Sequence, residues 1–323
     1  MNRENLKKFY RYLIDEGIII ILLLALIIVF SFLSPIFLTP NNLINIFLNV
    51  AIDGLMAIGV TLVVISGGID LSIGSVMALS ATLAVKLQGI FNIFFAVAIA
   101  VFAGIIIGLI NGLLVTRAKI NPFISTLGMF ITLKGLVYLI LENKALRTEN
   151  ILYKNITHGK LFMVNFPIWV FFIILIITYF LLSRTILGKR IYAIGGDKFI
   201  SVLFGLNYNS ISLFVYTFSG FCAAVSGIIL SSRASMVSPL FGETTMLMVI
   251  GAVVLGGVSL AGGKGTVIKS FIGILIFSII QNAFGLLGFD IDYQMGVWGA
   301  LLVTIITISD FKEKVLKSNK RNV

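Results

Sequence analysis

The sequence is poor in the side chains with which soluble enzymes do chemistry. Its 323 residues include one cysteine, Cys222, and one histidine, His158, and only 11% are Asp, Glu, Lys or Arg. A lone cysteine inside an apolar run excludes an intrachain disulfide or a Cys/His metal framework, so no metal or organic cofactor is expected. His158 falls in a polar stretch and reads as a surface residue. No paired acid and base stand out, and no catalytic residue is assigned. A P-loop is also missing. That motif needs Ser or Thr after its Lys to hold Mg²⁺, whereas Gly265 follows Gly263-Lys264 and Val258 stands where the first Gly belongs. The chain carries no ATPase of its own.

Apolar residues are abundant: 59% of the chain is hydrophobic and the mean hydropathy is +1.11. With about 20 residues per crossing, there is room for roughly ten apolar segments. The reading is an all-α polytopic membrane protein of about ten transmembrane segments, residues 1–323 forming a single transmembrane domain. The net charge of +11 is not gathered into one patch, so no nucleic-acid partner is expected. Lys and Arg lie in the short loops between apolar runs. Seventeen fall on the side of the two termini and six on the other, with Lys134 inside a span. That bias predicts cytoplasmic termini, with residues 1–16 as N-terminus, 17–309 as membrane region and 310–323 as basic tail. The first run, Gly17 to Leu33, lacks a small-x-small cleavage site near Ser34-Pro35 and reads as a retained span.

One stretch breaks the apolar pattern: Gly67-Gly68-Ile69-Asp70-Leu71-Ser72-Ile73-Gly74. Backbone inside a bilayer must be hydrogen-bonded, so a non-helical break needs cover from protein or a cavity. Gly67 and Gly68 can supply unusual torsions, and Asp70 and Ser72 can accept from the N–H groups of the helix that resumes at Ile73; by itself the stretch reads either as a capped turn between two membrane helices or as a broken-helix element on a translocation pathway. A second such stretch, Gly256-Gly257-Val258-Ser259-Leu260-Ala261-Gly262-Gly263, matches the first at four of eight positions when Gly256 is set on Gly67. Two Gly-rich broken-helix elements in a weak internal repeat point to a transporter.

Further polar positions punctuate the spans. Asn45, Asn49 and Asp53 recur every fourth residue within Leu43 to Ser66 and form one stripe on a helix, fit for pathway lining or interhelical bonding. Gly104, Gly108 and Gly112 give a small-residue packing face. Pro35 and Pro40 mark an extended connection, Glu142 to Asn165 a long polar loop, and Arg233 to Gly242 a further external loop. On the inner side, Arg184 to Asn209 mixes basic and apolar residues around Gly188, Arg190, Tyr192, Ile194, Gly195 and Gly196, and reads either as a simple cytoplasmic loop or as a short amphipathic helix docking on a soluble partner.

The run Ile58 to Val76, Asn121 to Gly128, the Gly188–Gly196 loop and Val253 to Gly265 together resemble, in the same order, the membrane permeases of ribose/xylose/galactose-type bacterial ABC importers. The likeness covers roughly Leu43 to Ser309. It implies a permease in the bacterial plasma (inner) membrane, paired with a second copy or a paralogue. It also implies a cytoplasmic ATP-binding subunit and an extracytoplasmic solute-binding protein. In that reading the inner loop carries a coupling helix on the ATPase, with Tyr192 and Ile194 as apolar anchors and Arg190 as a polar clamp. The alternative is an ion-coupled secondary transporter using Asp53, Asp70 or Lys134. The chain departs from the family pattern at Met246 to Ile250, where Glu-Leu-Asp-Ala-Ile is usual, and at Ile200 to Gly205, which lacks the usual Arg.

Overall fold

The computed structural model describes residues 17–290, 293–300, 303, 304 and 307, so the readings of residues 1–16 and 310–323 lie outside the described residues. Helices dominate: α1 (Ile18–Leu33), α2 (Pro40–Ile65), α3 (Ile73–Lys86), α4 (Ile93–Thr116), α5 (Pro122–Leu141), α6 (Ile151–His158), α7 (Phe166–Arg184), α8 (Ile186–Gly196), α9 (Lys198–Leu203), α10 (Tyr208–Ala234), α11 (Thr245–Leu255) and α12 (Val267–Leu286). Residues 293–300 are also helical. Six of these, α2, α4, α5, α7, α10 and α12, are long and apolar enough to cross a membrane, while α1, α3 and α11 are apolar but shorter.

Local chemistry sets many helix starts. Pro40 and Pro122 open α2 and α5, where a missing N–H costs nothing. Asn92, Asn121, Asn150 and Asn207 each accept a first-turn N–H with their side chains. The connection carrying Pro35 is a turn, not the extended segment that the two prolines predict: Ser34 and Ile36 carbonyls accept from Phe37 and Thr39. The core lies where α2, α3 and α10 meet, with α4 packed along α10. Gly104 and Gly108 make that contact close. A Cβ on Gly108 would run into the Tyr216 carbonyl, and one on Gly104 would lie 2.5 Å from the Ala224 Cβ. Here the packing role read from the Gly spacing is what the structure shows.

The polar stretch Glu142 to Asn165 is structured. Two-residue strands β1 (Leu146–Arg147), β2 (Lys160–Leu161) and β3 (Val164–Asn165) lie within it, and β1 pairs antiparallel with β4 (Met236–Val237). Between them α6 docks through Tyr153, whose hydroxyl is 2.6 Å from Ser231 Oγ, and Thr157, which bonds Ser232. Both side chains are buried, which ties this segment to the end of α10.

The stretch read as an external loop from Arg233 differs most. Arg233 belongs to the last turn of α10, and the chain beyond it dips back into the bundle as far as Gly74, in the first turn of α3. Non-helical backbone at such depth needs internal partners. Lys134 supplies them, donating to the carbonyls of Pro239 and Phe241 and pairing with Glu243 at 2.8 Å.

Candidate functional site

Three groups of residues singled out from the sequence come together at one end of the bundle. Gly67, at φ +84°, and Gly257, at φ +95°, each follow a helix C-terminus as the left-handed residue. Gly67 N–H bonds Val64 and Gly68 N–H bonds Val63; Gly257 N–H bonds Val254 and Val258 N–H bonds Val253. Both breaks are therefore Schellman caps, which satisfy the last carbonyls of α2 and α11. Structurally, Gly67 corresponds to Gly257 rather than to Gly256, one residue away from the register that the identical residues suggest. Gly68 does not have the special torsion expected of it. It is small because the Tyr216 hydroxyl lies 2.7 Å from where its Cβ would be.

The glycines of α8 and of the 256–266 turn seat against both breaks. Gly263 N–H donates to the Ile65 carbonyl at 2.8 Å. A Cβ on Gly195 would strike that same carbonyl, and one on Gly262 would lie 2.6 Å from the Gly195 carbonyl and 2.9 Å from Gly67 Cα. The result is a junction of bare backbone among α2, α8 and the 256–266 turn. Gly256 packs against the backbone of Lys269 in α12, and Gly188 against the carbonyls of Leu181 and Leu182 in α7. Ser259 braces the 256–266 turn, its backbone N–H on the Lys264 carbonyl and its Oγ accepting from Ala261 N–H.

Asp70 is buried just beyond the first cap. Its Oδ1 accepts from the backbone N–H and the hydroxyl of Ser72, and its Oδ2 from Ser219 Oγ at 2.8 Å. Ser72 makes no side-chain cap to α3, contrary to expectation; its Oγ accepts instead from Asn111 Nδ2 at 2.8 Å. The carboxylate thus fastens α3 to α10, and through Ser72 to α4.

The Asn45–Asn49–Asp53 stripe leads away toward the opposite end of the bundle. Asn45 is exposed in a cavity of about 290 Å³ that also carries His158, Lys160 and Arg233. Asn49 accepts from Arg233 Nη1 at 2.5 Å. Asp53, 7% exposed, lines a second cavity of about 370 Å³ with Thr244, Thr245, Gln281, Gln294 and Trp298. Polar side chains facing cavities among helices long enough to cross a membrane fit a transporter of polar solutes.

The comparisons with known proteins agree. Residues 42–306 match the family described as "Branched-chain amino acid transport system / permease component". The chain belongs to this permease family. It is similar to the ribose import permease protein RbsC of Escherichia coli strain K12, 38% identical over 299 residues that cover 91% of this chain and 93% of the relative. RbsC of Bacillus subtilis strain 168 is 35% identical over 88% of this chain and 90% of its own length. The D-allose transport system permease protein AlsC of Escherichia coli strain K12 is 32% identical over 88% and 89%. No solved structure matches the chain. The permease is a multi-pass membrane protein and not itself an enzyme; in such importers ATP hydrolysis belongs to a separate subunit.

In the permease's α8, two residues face elsewhere than the sequence suggests. Ile194 is buried inside the chain. Tyr192 is half-buried and donates to the Gly265 carbonyl at 2.7 Å, with burial pushing its phenol above the ordinary range and keeping it a donor. Neither is free to anchor a partner. Arg190 is exposed as expected. Apolar side chains left open lie at the start of α8, where Ile186 is 69% exposed, and further on, in and after α9: Phe199 at 74%, Leu203 at 70% and Phe204 at 84%.

Sequence reasoning missed Arg233 as part of the site, along with Ser219 and Asn111. A signal was available. Ser212, Ser219, Ser226 and Arg233 recur every seventh residue in α10, marking a polar seam on an otherwise apolar helix.

Proposed function

We propose that this chain is the translocation subunit of an ATP-driven importer, passing a monosaccharide or similar small polar solute that a binding protein delivers. One observation carries the reading: the likeness to a ribose import permease runs over 91% of the chain. The branched-chain amino acid description covers the wider family, whereas the relatives cited above are sugar permeases. In this reading the whole of 1–323 is one permease domain in the bacterial inner membrane, with both termini cytoplasmic. The α3 and α11 halves, each joined to a non-helical segment, make up crossings beyond the six long helices, toward about ten in two related halves. The paired Schellman caps support that relation.

The pathway runs by the Asn45–Asn49–Asp53 stripe, while the junction of Gly67, Gly68, Asp70, Ser72, Gly256, Gly257 and Ser259 ties the breaks to the inner segment. That segment, from Gly188 through Arg190, Tyr192, Ile194, Gly195 and Gly196, is the coupling element on the cytoplasmic ATP-binding subunit. Phe199, Leu203 and Phe204, exposed in and after α9, serve as its anchors and Arg190 as the polar clamp. Because Gly195 touches Ile65 and Gly262 touches Gly67, a push on α8 reaches both breaks at once. A second copy or a paralogue closes the Asp53 cavity. Leu247 and Val303 at its edge are exposed, and polar walls open to lipid would be costly.

Uptake of labelled ribose into vesicles holding the permease, its ATP-binding subunit and its binding protein is expected to need internal ATP and the binding protein together. Uptake driven by a proton or sodium gradient without ATP would overturn the importer reading in favour of an ion-coupled transporter.

A further inference from the structure

Away from the Asn45–Asn49–Asp53 stripe, a cavity of about 520 Å³ opens where α4 ends and α5 and α10 begin, with α9 alongside. All three of those spanning helices are long and apolar enough to cross a membrane, so the cavity lies at the level of a bilayer surface. Lys119 and Lys198 line it and no acidic side chain does. Among the described residues neither ammonium has a carboxylate partner. Asp197, next to Lys198 in sequence, is engaged as the cap of α9, accepting from Ile200 N–H. Lys198 Nζ lies 3.5 Å from the centroid of the Tyr208 ring, which orients the ammonium without neutralising it. Asn121 and Asn207 also line the cavity, and their Oδ1 atoms cap α5 and α10 by accepting from Phe123 N–H and Ser210 N–H. That leaves the two Nδ2 groups as donors. Two cations and two amide donors with no acid among them suit an anion rich in acceptor oxygens, and a phosphate group is one.

We propose that this cavity is a binding site for an anionic phospholipid. The lipid's phosphate oxygens accept from Lys119, Lys198 and the two amides. Its glycerol and first methylenes lie on the apolar wall that Ile120, Val202 and Leu206 supply. A free inorganic anion gains nothing from that wall, and a phospholipid reaches the cavity from the bilayer without leaving it. Basic pockets between spanning helices at a membrane surface are where such headgroups are held. The lipid also has something to do there. Of the six residues of α9 only Ser201 is buried, so a headgroup gripped by Lys198 and by Lys119 ties this loosely seated helix to the ends of α4 and α5. The site does not depend on the importer reading, since it needs only that this end of the bundle meets a bilayer.

The test is native mass spectrometry of the full-length permease in detergent. It is titrated with phosphatidylglycerol and, separately, with phosphatidylcholine, which shares the glycerol and acyl chains but carries no net charge. The first lipid is expected to bind about tenfold more tightly when it is phosphatidylglycerol. Lys119→Gln and Lys198→Gln should each weaken that binding by about fivefold, the effect of losing one cation beside an anionic headgroup. Lys144→Gln, at an exposed lysine beyond the other end of α5, should leave it unchanged. Should the two cavity variants fail to accumulate, Val202→Asp at an exposed position of the apolar wall is expected to weaken phosphatidylglycerol binding and spare phosphatidylcholine. Equal affinity for the two lipids overturns the proposal, as does an affinity that none of the cavity substitutions moves or that Lys144→Gln lowers equally. Displacement of phosphatidylglycerol by inorganic phosphate or ATP at millimolar concentration would assign the cavity to a soluble phosphate compound and overturn the lipid site as well.

Discussion

At the scale of single residues, Gly195 matters for the side chain it lacks. Its Cβ position is occupied by the Ile65 carbonyl, so Gly195→Ala forces α8 away from the end of α2. Overpacking of this kind costs about 1–3 kcal/mol, and the variant should show a lower melting temperature in detergent and poor accumulation. A bulky residue there would not leave the permease folded while uncoupling the ATPase, as a loop on the surface would allow. Gly196→Ala is the control, because nothing lies within 4 Å of its Cβ position; its melting temperature should match the parent. Lys134 makes a second case. It binds two carbonyls and one carboxylate of the segment after α10, so Lys134→Met leaves buried acceptors bare at about 1–3 kcal/mol each. Glu243→Gln should cost less, since the carboxylate is 40% exposed and Lys134 keeps its carbonyls. Equal melting temperatures for the two variants would refute that ranking.

Among the elements, α4 and α10 form the tightest pair, and their contact is backbone on backbone. Gly220 of α10 sits over Gly108 of α4, with Gly108 Cα 3.0 Å from the Gly220 Cβ position. Gly108→Leu is expected to split the pair and abolish folded permease, read as loss of a monodisperse peak in detergent. Gly104 and Gly108 were legible as a packing face because four-residue spacing puts them on one side of any helix. Their partner was not legible, since spacing carries no information about which helix comes near. The two glycines of the first cap differ in kind. Gly67→Ala places a side chain at φ +84° and should cost about 1–2 kcal/mol. Gly68→Val would press on the Tyr216 hydroxyl, 2.7 Å from the Cβ position, and break its bond to the Ile69 carbonyl. Transport by Gly68→Val at the parent's rate would show that this contact is dispensable.

For the whole molecule, the charge asymmetry and the inner-loop reading bear on sidedness. Cysteines at the exposed positions Asn155 and Lys189 are expected to react with an impermeant maleimide from opposite sides of the membrane. Labelling of both in intact cells would refute cytoplasmic placement of α8. The open Asp53 cavity bears on assembly. Light scattering of the purified permease, corrected for detergent, should give twice the 35.2 kDa chain mass if two copies close it. A monomer still active in uptake would rule that out.

Apolar run length and the absence of a P-loop were enough, from sequence, for a helical membrane protein without its own ATPase, and the Gly breaks pointed to a transporter, because each follows from what a bilayer or a phosphate demands locally. The four ordered motifs carried the family. Tertiary structure decided everything that depends on approach between distant segments. It turned Tyr192 and Ile194 inward, joined Gly195 to Ile65, gave Lys134 its partner and drew the chain after Arg233 into the bundle. The reason is physical. A periodic pattern in a helix names the face that must be covered, but which surface covers it depends on packing across more than 100 residues of intervening chain, as between Lys134 and Phe241 or Asp70 and Ser219.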